Sequence, residues 1–307
     1  MTQHFLALHD YTKAELEALL TLALELKSKQ KRGVPHKLLD GKTVALIFEK
    51  ASTRTRVSFE VGLFQLGGHA LFMSSATSQI GRGEPIKDTA RVMSRYCDGI
   101  MIRTYGQEIA EEFATYSNVP VINGLTDLFH PCQIMADLLT VIEHYGIYEG
   151  RKFAWVGDGN NMANTWIEAA AIFGFNLALA CPKGYEPDSG VIAWAQAKAP
   201  GRITLTCDPK TAVKDAEVLN TDVWASMGQE AEQKEREQAF AGYCLDDSLL
   251  LLAKPDCIVM HPGPVNRGVE MSSYVMDGDQ SHVLKQVENG VAVRMAMLYH
   301  VCGGEME

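Results

Sequence analysis

Long apolar runs are missing from this chain of 307 residues. No uninterrupted apolar stretch reaches about 18 residues, the length that a membrane-spanning helix needs. The first ten residues mix polar and apolar side chains and lack the order of a secretory signal peptide. We therefore expect no membrane partner and a cytoplasmic location.

Metal-binding and disulfide patterns are also missing. The seven cysteines are scattered, their number is odd, and no CxxC, HxxxH or HExxH motif occurs. Zinc sites and disulfide frameworks show such spacings. We therefore expect neither a metal site nor a disulfide scaffold.

Positive charge is scarce. Lys and Arg together number 28 against 38 Asp and Glu, a formal net charge of -10. Nucleic acid repels such a chain, so we expect no nucleic-acid partner, although a local cationic pocket for a small anion is compatible with this charge. Hydrophobic residues at 47% and charged residues at 21% are typical of a globular protein.

Short apolar runs alternate with helical patterns along the chain. Strands are predicted at 43–48, 70–74, 99–103, 119–122, 153–157, 176–181, 203–206, 217–222 and 257–260. Helices are predicted at 12–30, 54–66, 88–97, 107–116, 131–145, 162–173, 188–198, 230–241 and 281–302. This alternation predicts the α/β class with parallel sheets flanked by helices. One sheet of nine strands is an alternative, but fresh strand–loop–helix units begin at 43 and at 153, which favours two domains.

Hydroxyl and guanidinium side chains follow the first predicted strand. The segment STRTR (52–56) opens a helix on which Val57, Val61 and Phe64 share one face. A helix N-terminus offers free amide donors and partial positive charge. Helix capping would use one hydroxyl but does not explain so many consecutive donors. We therefore predict an anion site that suits phosphate.

Other polar residues follow later strands of the same predicted domain. Arg103 ends the strand GIMIR, and His130 and Gln133 lie where a helix begins. Ligands of parallel sheets bind beyond the carboxyl ends of strands, and His130 or Gln133 could donate to a carbonyl oxygen that gains negative charge. Taken alone, a surface arginine and a structural histidine are equally good interpretations. Cys132 lacks an evident histidine base, which favours a packing role.

Three segments of the second predicted domain also follow strands. GDGNN (157–161) is similar to a dinucleotide fingerprint, but the acidic residue that would hold a ribose is missing, which favours a small polar ligand. Asp222 opens the segment DVWASMGQE, where its carboxylate suits an ammonium group, and a plain capped turn is an equal alternative. HPGP (261–264) leaves few backbone donors and exposes carbonyl oxygens that suit an NH₂ group. Taken alone, a rigid turn without a ligand explains HPGP better.

The ordered set STRTR, RTYGQ, HPCQ, GDGNN, DVWASMGQE and HPGPVNRG resembles the aspartate/ornithine carbamoyltransferase family, and its ornithine branch most. The resemblance covers nearly the whole chain. It implies a carbamoyl phosphate-binding domain at 1–145, completed by a C-terminal helix at about 285–307, and an ornithine-binding domain at 146–284, joined by interdomain helices. It also implies a homotrimer, or a multiple of trimers, with active sites between subunits and no metal or other cofactor.

The activity that the resemblance implies is transfer of the carbamoyl group from carbamoyl phosphate to the side-chain amine of L-ornithine. The products are L-citrulline and phosphate, in arginine biosynthesis. The residues that would bind carbamoyl phosphate are Ser52, Thr53, Arg54, Thr55, Gln79, Arg103, His130, Gln133, Pro262 and Gly263. Of these, Arg54, Thr55, Arg103, His130 and Gln133 would be catalytic, and Gln79 would reach the adjacent subunit's site. Ornithine would be bound by Asn161, Asp222, Ser226 and Met227.

The C-terminal segment departs from the ornithine branch. Enzymes of that branch usually carry His-Cys-Leu-Pro where this chain has HPGP (261–264), and Arg where Gly290 stands, and the form here looks like the aspartate branch. Aspartate brings two carboxylates that Asp222 would repel, whereas an α-ammonium group suits it. We therefore expect ornithine, with aspartate or another amine as the alternative.

Two other classes of protein are alternatives. An NAD-dependent dehydrogenase would rest on GDGNNMA, but the missing ribose acid counts against it. A non-catalytic binding protein on the same fold would be expected to lose part of the phosphate cluster, and the cluster is complete here.

Overall fold

The computed structural model describes residues 3–226 and 228–303. The chain divides into two compact units, one formed by Met1–Leu139 with Glu288–Glu307 and the other by Thr140–Val287. Each unit contains one parallel sheet. Residues 304–307, at the end of the predicted C-terminal helix, lie outside the described part of the chain.

The first unit is built on a sheet of four parallel strands in the order β2-β1-β3-β4. Its elements are α1 (Lys13–Lys31), β1 (Thr43–Phe48), α2 (Thr53–Gln65), β2 (His69–Ser74), α3 (Ile86–Tyr96), β3 (Gly99–Arg103), α4 (Gln107–Tyr116), β4 (Val121–Leu125) and α5 (Pro131–Tyr145). The run TVALIF of β1 is buried from its second residue onward. Such a continuous apolar run is typical of a parallel strand that is covered on both faces.

A capping box begins α1. The Oγ1 atom of Thr12 accepts from the backbone N–H of Glu15 at 3.3 Å, and the Glu15 carboxylate accepts from the backbone N–H of Thr12 at 2.7 Å. These two bonds satisfy backbone donors that have no partner within the helix. The helix predicted at 12–30 is therefore confirmed, with its apolar face buried.

The second unit is built on a sheet of five parallel strands in the order β7-β6-β5-β8-β9. Its elements are β5 (Lys152–Val156), α6 (Asn161–Phe173), β6 (Asn176–Ala180), α7 (Ser189–Lys198), β7 (Ile203–Thr206), α8 (Pro209–Val213), β8 (Val218–Asn220), α9 (Gln233–Ala239), α10 (Asp247–Leu250), β9 (Ile258–Met260) and α11 (Ser273–Asp277). The last helix, α12 (Val283–Cys302), begins in this unit and belongs mostly to the first. The chain passes between the units within α5 and within α12. The predicted two-sheet α/β fold with joining helices is therefore confirmed.

The structure corrects several predicted bounds. The fourth strand begins at Val121 rather than at 119 and extends to Leu125. The helix predicted at 230–241 is a 3-10 turn followed by the shorter α9, because the N–H of Glu232 bonds to the carbonyl of Gln229, three residues back. The short helices α8, α10 and α11 were not predicted. In the described residues, no helix has the length and apolar character that crossing a membrane requires.

Candidate active site

Each sheet has one point at which the strand order changes direction. In the first unit β1 lies between β2 and β3, and in the second unit β5 lies between β6 and β8. In open parallel sheets, ligands bind beyond the carboxyl ends of the strands at such a point. Ligands are therefore expected at the segments after β1 and β3 in the first unit and after β5 and β8 in the second.

The segment after β1 forms the N-terminus of α2. Ser52 caps this helix, since its Oγ atom accepts from the backbone N–H of Thr55 at 3.2 Å. Thr53 and Arg54 are exposed at the helix start, and Thr55 is buried. Capping thus uses one hydroxyl, as the sequence predicted, and leaves polar donors at the positive end of the helix dipole.

Arg103, the last residue of β3, lies beside this helix start. Its side chain is only 9% exposed, and Nη1 donates to Oγ1 of Thr55 at 3.2 Å. The strand ends are held together, because the N–H of Glu49 donates to the Arg103 carbonyl at 2.9 Å and the Thr104 hydroxyl donates to the Glu49 carboxylate. A buried guanidinium at a helix N-terminus is a strong site for a small anion.

Lys50 fixes the remainder of the β1–α2 loop. It is buried, forms an ion pair with Asp127, and lies 4.4 Å from the ring centroid of Tyr105. Both partners come from segments that follow β3 and β4. The loop that carries the predicted anion site is therefore anchored to its neighbouring strand ends.

His130 and Gln133 lie at the start of α5. Burial, and next the positive charges of Arg103 and Arg294, hold the pKa of His130 well below its ordinary value. The imidazole is therefore neutral near pH 7, with one N–H donor. The Gln133 amide nitrogen donates to the buried Asp137 at 2.9 Å, which leaves its amide oxygen as an acceptor for an NH₂ group.

Arg294 on α12 is a buried cation that sequence reasoning missed. Its Nη1 donates to the carbonyl of Gly290 at 2.9 Å, and a Cβ atom at position 290 would lie 2.5 Å from Nη1. Burial lowers the pKa of Arg294, and Asp137 opposes that effect. Gly290, where the ornithine branch usually has Arg, therefore provides the space that the Arg294 guanidinium occupies.

Two other residues of the first unit were discussed from the sequence, Cys132 and Gln79. Cys132 is fully buried with its Sγ atom 3.3 Å from the carbonyl oxygen of Asn123, and burial raises its pKa to about 11. These features support the packing role. Gln79 is exposed in the polar segment after β2.

In the second unit, Asn160 and Asp222 join the ends of β5 and β8. Asn160 caps α6, since its Oδ1 accepts from the backbone N–H groups of Met162 and Ala163. Its Nδ2 donates to Oδ2 of Asp222 at 3.0 Å, and Oδ1 of Asp222 accepts from the N–H of Val223 at 2.8 Å. Burial raises the pKa of Asp222. A buried carboxylate thus lies at the point where strand order changes.

The other predicted ornithine-binding residues lie beside Asn160 or shortly after Asp222 in the chain. Asn161 is the first residue of α6 and is half-buried. Ser226 is half-buried, and its backbone N–H donates to Oε1 of Gln229 at 2.9 Å. Met227 lies outside the described residues. Asn160, which was not among the predicted site residues, is the side chain that donates a hydrogen bond to the Asp222 carboxylate.

The HPGP segment follows β9 and is shaped by a buried pair. Nδ1 of His261 accepts from the backbone N–H of Gly263 at 2.8 Å, so the imidazole proton is on Nε2, which lies 3.1 Å from Oε1 of Glu270. His261 and Glu270 are fully buried. Pro262 and Gly263 belong to the second unit, whereas the other predicted carbamoyl phosphate residues belong to the first. Glu270 had no local signal in the sequence.

The described residues contain no group of three or more His, Cys, Asp or Glu side chains arranged to hold a metal ion. The polar side chains described above can bind ligands by hydrogen bonding and charge. Buried guanidinium and hydroxyl groups of the first unit suit an anion, and the Asp222 carboxylate of the second unit suits an ammonium group.

The two units match the two domains of one family of transferases. The model of the aspartate/ornithine carbamoyltransferase carbamoyl-P binding domain matches residues 3–143, and that of the Asp/Orn binding domain matches residues 149–301. The chain therefore belongs to the aspartate/ornithine carbamoyltransferase family, as the sequence motifs predicted.

Full-length relatives come from the ornithine branch of this family. An ornithine carbamoyltransferase from Pelobacter propionicus is 68% identical over 305 residues, which are 99% of this chain and 100% of that protein. The solved structure of ornithine carbamoyltransferase from Pyrococcus furiosus has a TM-score of 0.96 at 48% identity, covering 99% of this chain and 98% of that one. The anabolic ornithine carbamoyltransferase from Campylobacter jejuni has a TM-score of 0.91 at 40% identity, covering 97% and 98%.

Proposed function

We propose that this protein transfers the carbamoyl group of carbamoyl phosphate to the side-chain amine of L-ornithine, giving L-citrulline and phosphate. The full-length relatives carry the name of this activity. The observation that carries the choice of amine is Asp222, a buried carboxylate whose described donors, the Asn160 amide and the Val223 backbone N–H, are both neutral.

An ammonium group is the partner that this carboxylate favours. Burial raises the pKa of Asp222 because the ionised form loses hydration. A substrate cation beside Asp222 would stabilise that ionised form, whereas the two carboxylates of aspartate would be repelled. Ornithine, with an α-ammonium group, therefore fits better than the alternative, aspartate. Asn161, Ser226 and Met227 would complete its site.

Carbamoyl phosphate would occupy the anion site of the first unit. Its phosphate would accept hydrogen bonds from the N-terminus of α2 and from Arg54 and Arg103. The Gln133 amide oxygen, and the carbonyls of Pro262 and Gly263, would accept from the carbamoyl NH₂ group. The remaining residues assigned to this substrate are Ser52, Thr53, Thr55, Gln79 and His130.

The reaction is a substitution at the carbamoyl carbon. The neutral side-chain amine of ornithine forms a C–N bond, and negative charge develops on the carbonyl oxygen. When the carbonyl reforms, the C–O bond to phosphate breaks and phosphate leaves with the electron pair. The surplus amine proton passes to solvent or to the departing phosphate. Arg54, Thr55, Arg103 and His130 would stabilise the charge, and loss of one such donor typically costs roughly 10²–10³ in rate.

We assign the protein to arginine biosynthesis and to the cytoplasm, as a homotrimer or a multiple of trimers. The solved Campylobacter jejuni relative, described as anabolic, supports the biosynthetic role. An apolar face of α2 supports self-association, since Val57 is 50% and Phe64 81% exposed in the single chain, and the neighbouring β2 is an edge strand. Exposed Gln79 is free to act across such an interface.

A panel of amines tests the proposed activity. Ornithine, aspartate and putrescine are offered in turn with carbamoyl phosphate, and the products are identified by mass spectrometry. We expect citrulline from ornithine and little product from the other two amines. Turnover of aspartate without turnover of ornithine would refute the assignment of Asp222 to an ammonium group.

Mixed subunits test the assembly. We expect sedimentation to give a trimer or a multiple of it. Inactive His130→Ala chains mixed with inactive Gln79→Ala chains should regain part of the activity, because some sites then combine intact residues from two subunits. An active monomer, or mixtures that stay inactive after subunit exchange, would contradict the shared site.

A further inference from the structure

Arg236 on α9 connects four groups through one buried guanidinium. Nη1 donates to the backbone carbonyl of Trp224 at 2.8 Å and lies 3.2 Å from Oδ1 of Asp158. Nε donates to the Glu232 carboxylate at 3.0 Å, and the guanidinium carbon lies 5.0 Å from the ring centroid of Tyr185. The residue is only 6% exposed. A guanidinium buried beside the Asp158 carboxylate and a backbone carbonyl is a costly arrangement that fixes the geometry of its partners, while Glu232 holds the exposed side of the group.

The partners of Arg236 close a ring of contacts that includes Asp222, the candidate amine-binding residue. Trp224 follows Asp222 by two residues, and Asp158 precedes Asn160 by two residues. Asn160 donates in turn to Asp222 at 3.0 Å. The segment after β8 and the loop after β5 are therefore tied at two points, directly by Asn160 and through Arg236.

We propose that Arg236 is a positioning residue for the amine substrate. It sets the direction in which the chain leaves Asp222 towards Ser226, and so controls ornithine binding without contacting ornithine. This inference rests on the proposed function, because it assumes that Asp222 and Ser226 bind the amine. The anion site of the first unit has no part in this ring.

The charges around Asp158 are consistent with a positioning role for Arg236. Burial raises the pKa of Asp158 to about 6, while Arg236 opposes that effect, and the negative charges of Asp222 and Glu232 add to it. Without Arg236, the buried Asp158 would lose the cation that opposes this rise in its pKa. The ring would then lose both the carboxylate contact and the bond to the Trp224 carbonyl.

Arginine is required here for its shape. Its planar group serves a carboxylate and a carbonyl together, whereas a lysine ammonium is a point charge on a flexible stem. Arg236→Lys should therefore retain part of the effect of Arg236, and Arg236→Gln very little.

Steady-state kinetics of citrulline formation test the inference. For Arg236→Gln we expect the KM for ornithine to rise roughly tenfold to a hundredfold, the loss typical of one charge-assisted contact. The KM for carbamoyl phosphate should stay within about twofold of the parent value, since distant sites act independently. The ornithine KM of Arg236→Lys should lie between that of the parent and that of Arg236→Gln. The matched control is Arg202→Gln, because Arg202 is an exposed arginine of the same unit that bonds to Asn176, and it should leave both constants unchanged.

A double-mutant cycle separates positioning from general damage. Asp158→Asn and Arg236→Gln should raise the ornithine KM less than additively, because both break the same contact. Circular dichroism and thermal melts check that each variant is folded. If Arg236→Gln does not fold, Asp158→Asn alone carries the test and should raise the ornithine KM severalfold with little change for carbamoyl phosphate.

The outcomes distinguish this inference from the proposed function. A folded variant with an unchanged ornithine KM, or equal increases for both substrates, would overturn the role of Arg236 while citrulline formation by the parent stands. A parent protein that forms no citrulline would overturn the proposed function instead.

Discussion

Replacing Arg103 by methionine removes the cation at the centre of the proposed anion site while retaining an apolar stem of similar length. The side chain is 9% exposed and contacts Thr55 at 3.2 Å, so little water replaces what is lost. Each charge-assisted hydrogen bond contributes about 1.5–3 kcal/mol. Two such bonds to carbamoyl phosphate correspond to a fall of roughly 10²–10⁴ in kcat/KM for that substrate.

The same substitution has a second, measurable consequence at His130. Arg103 is one of the two cations that lower the pKa of His130, after burial. Arg103→Met should therefore move that pKa upward, towards its ordinary value, although burial keeps it low. The shift would be read from the imidazole resonance in a pH titration by NMR.

The assay is citrulline formation at varied carbamoyl phosphate with saturating ornithine. Arg95→Met, an exposed arginine at the end of α3, is the matched control and should behave as the parent. A folded Arg103→Met protein with kcat/KM within about threefold of the parent, the range of a neutral surface change, would refute the anion site.

Three further predictions concern the second unit. Asp222→Asn should raise the ornithine KM roughly tenfold to a hundredfold, because it removes a charged contact, and should change the carbamoyl phosphate KM little. Equal increases in the two KM values would contradict the assignment of Asp222 to the amine substrate. Because the pKa of Asp158 is raised to about 6, its protonated form stabilises the fold at low pH, and this contribution is lost as pH rises through that value. Urea unfolding should therefore show the parent losing roughly 2 kcal/mol relative to Asp158→Asn between about pH 4 and pH 7, and parallel pH profiles would refute this. Gly263 has a φ of 71°, a left-handed conformation that is unfavourable for leucine. Gly263→Leu, a change towards the usual His-Cys-Leu-Pro, should therefore lower the free energy of unfolding in urea by about 1–2 kcal/mol. Unchanged stability would show that the backbone rearranges.

Local patterns in the sequence predicted the fold well where each element depends on its own residues. The strand TVALIF and the Thr12–Glu15 capping box need only short-range information, and both are found in the structure. The positions of Ser52 and Thr55 at the N-terminus of α2 were likewise predictable, because a strand followed by a helix N-terminus fixes where those donors lie, and the anion site itself stays a prediction.

Contacts between distant segments were not predictable in this way. The ion pair of Arg236 with Asp158 and the hydrogen bond of Asn160 to Asp222 depend on which strands and helices become neighbours. The apolar residues Val57, Val61 and Phe64 of α2 illustrate the same limit, because their spacing correctly predicted a helix but did not reveal that this face is exposed in the single chain.

Direct competition between two amines is the measurement that tests the central claim most sharply. Isotope-labelled carbamoyl phosphate is supplied with equal concentrations of L-ornithine and L-aspartate, and the labelled products are resolved by NMR. The product ratio then reports the ratio of the two kcat/KM values. We predict that citrulline dominates, because Asp222 attracts an ammonium group and repels a second carboxylate. Predominant carbamoyl-aspartate would contradict this account and assign the choice of amine to the HPGP segment instead.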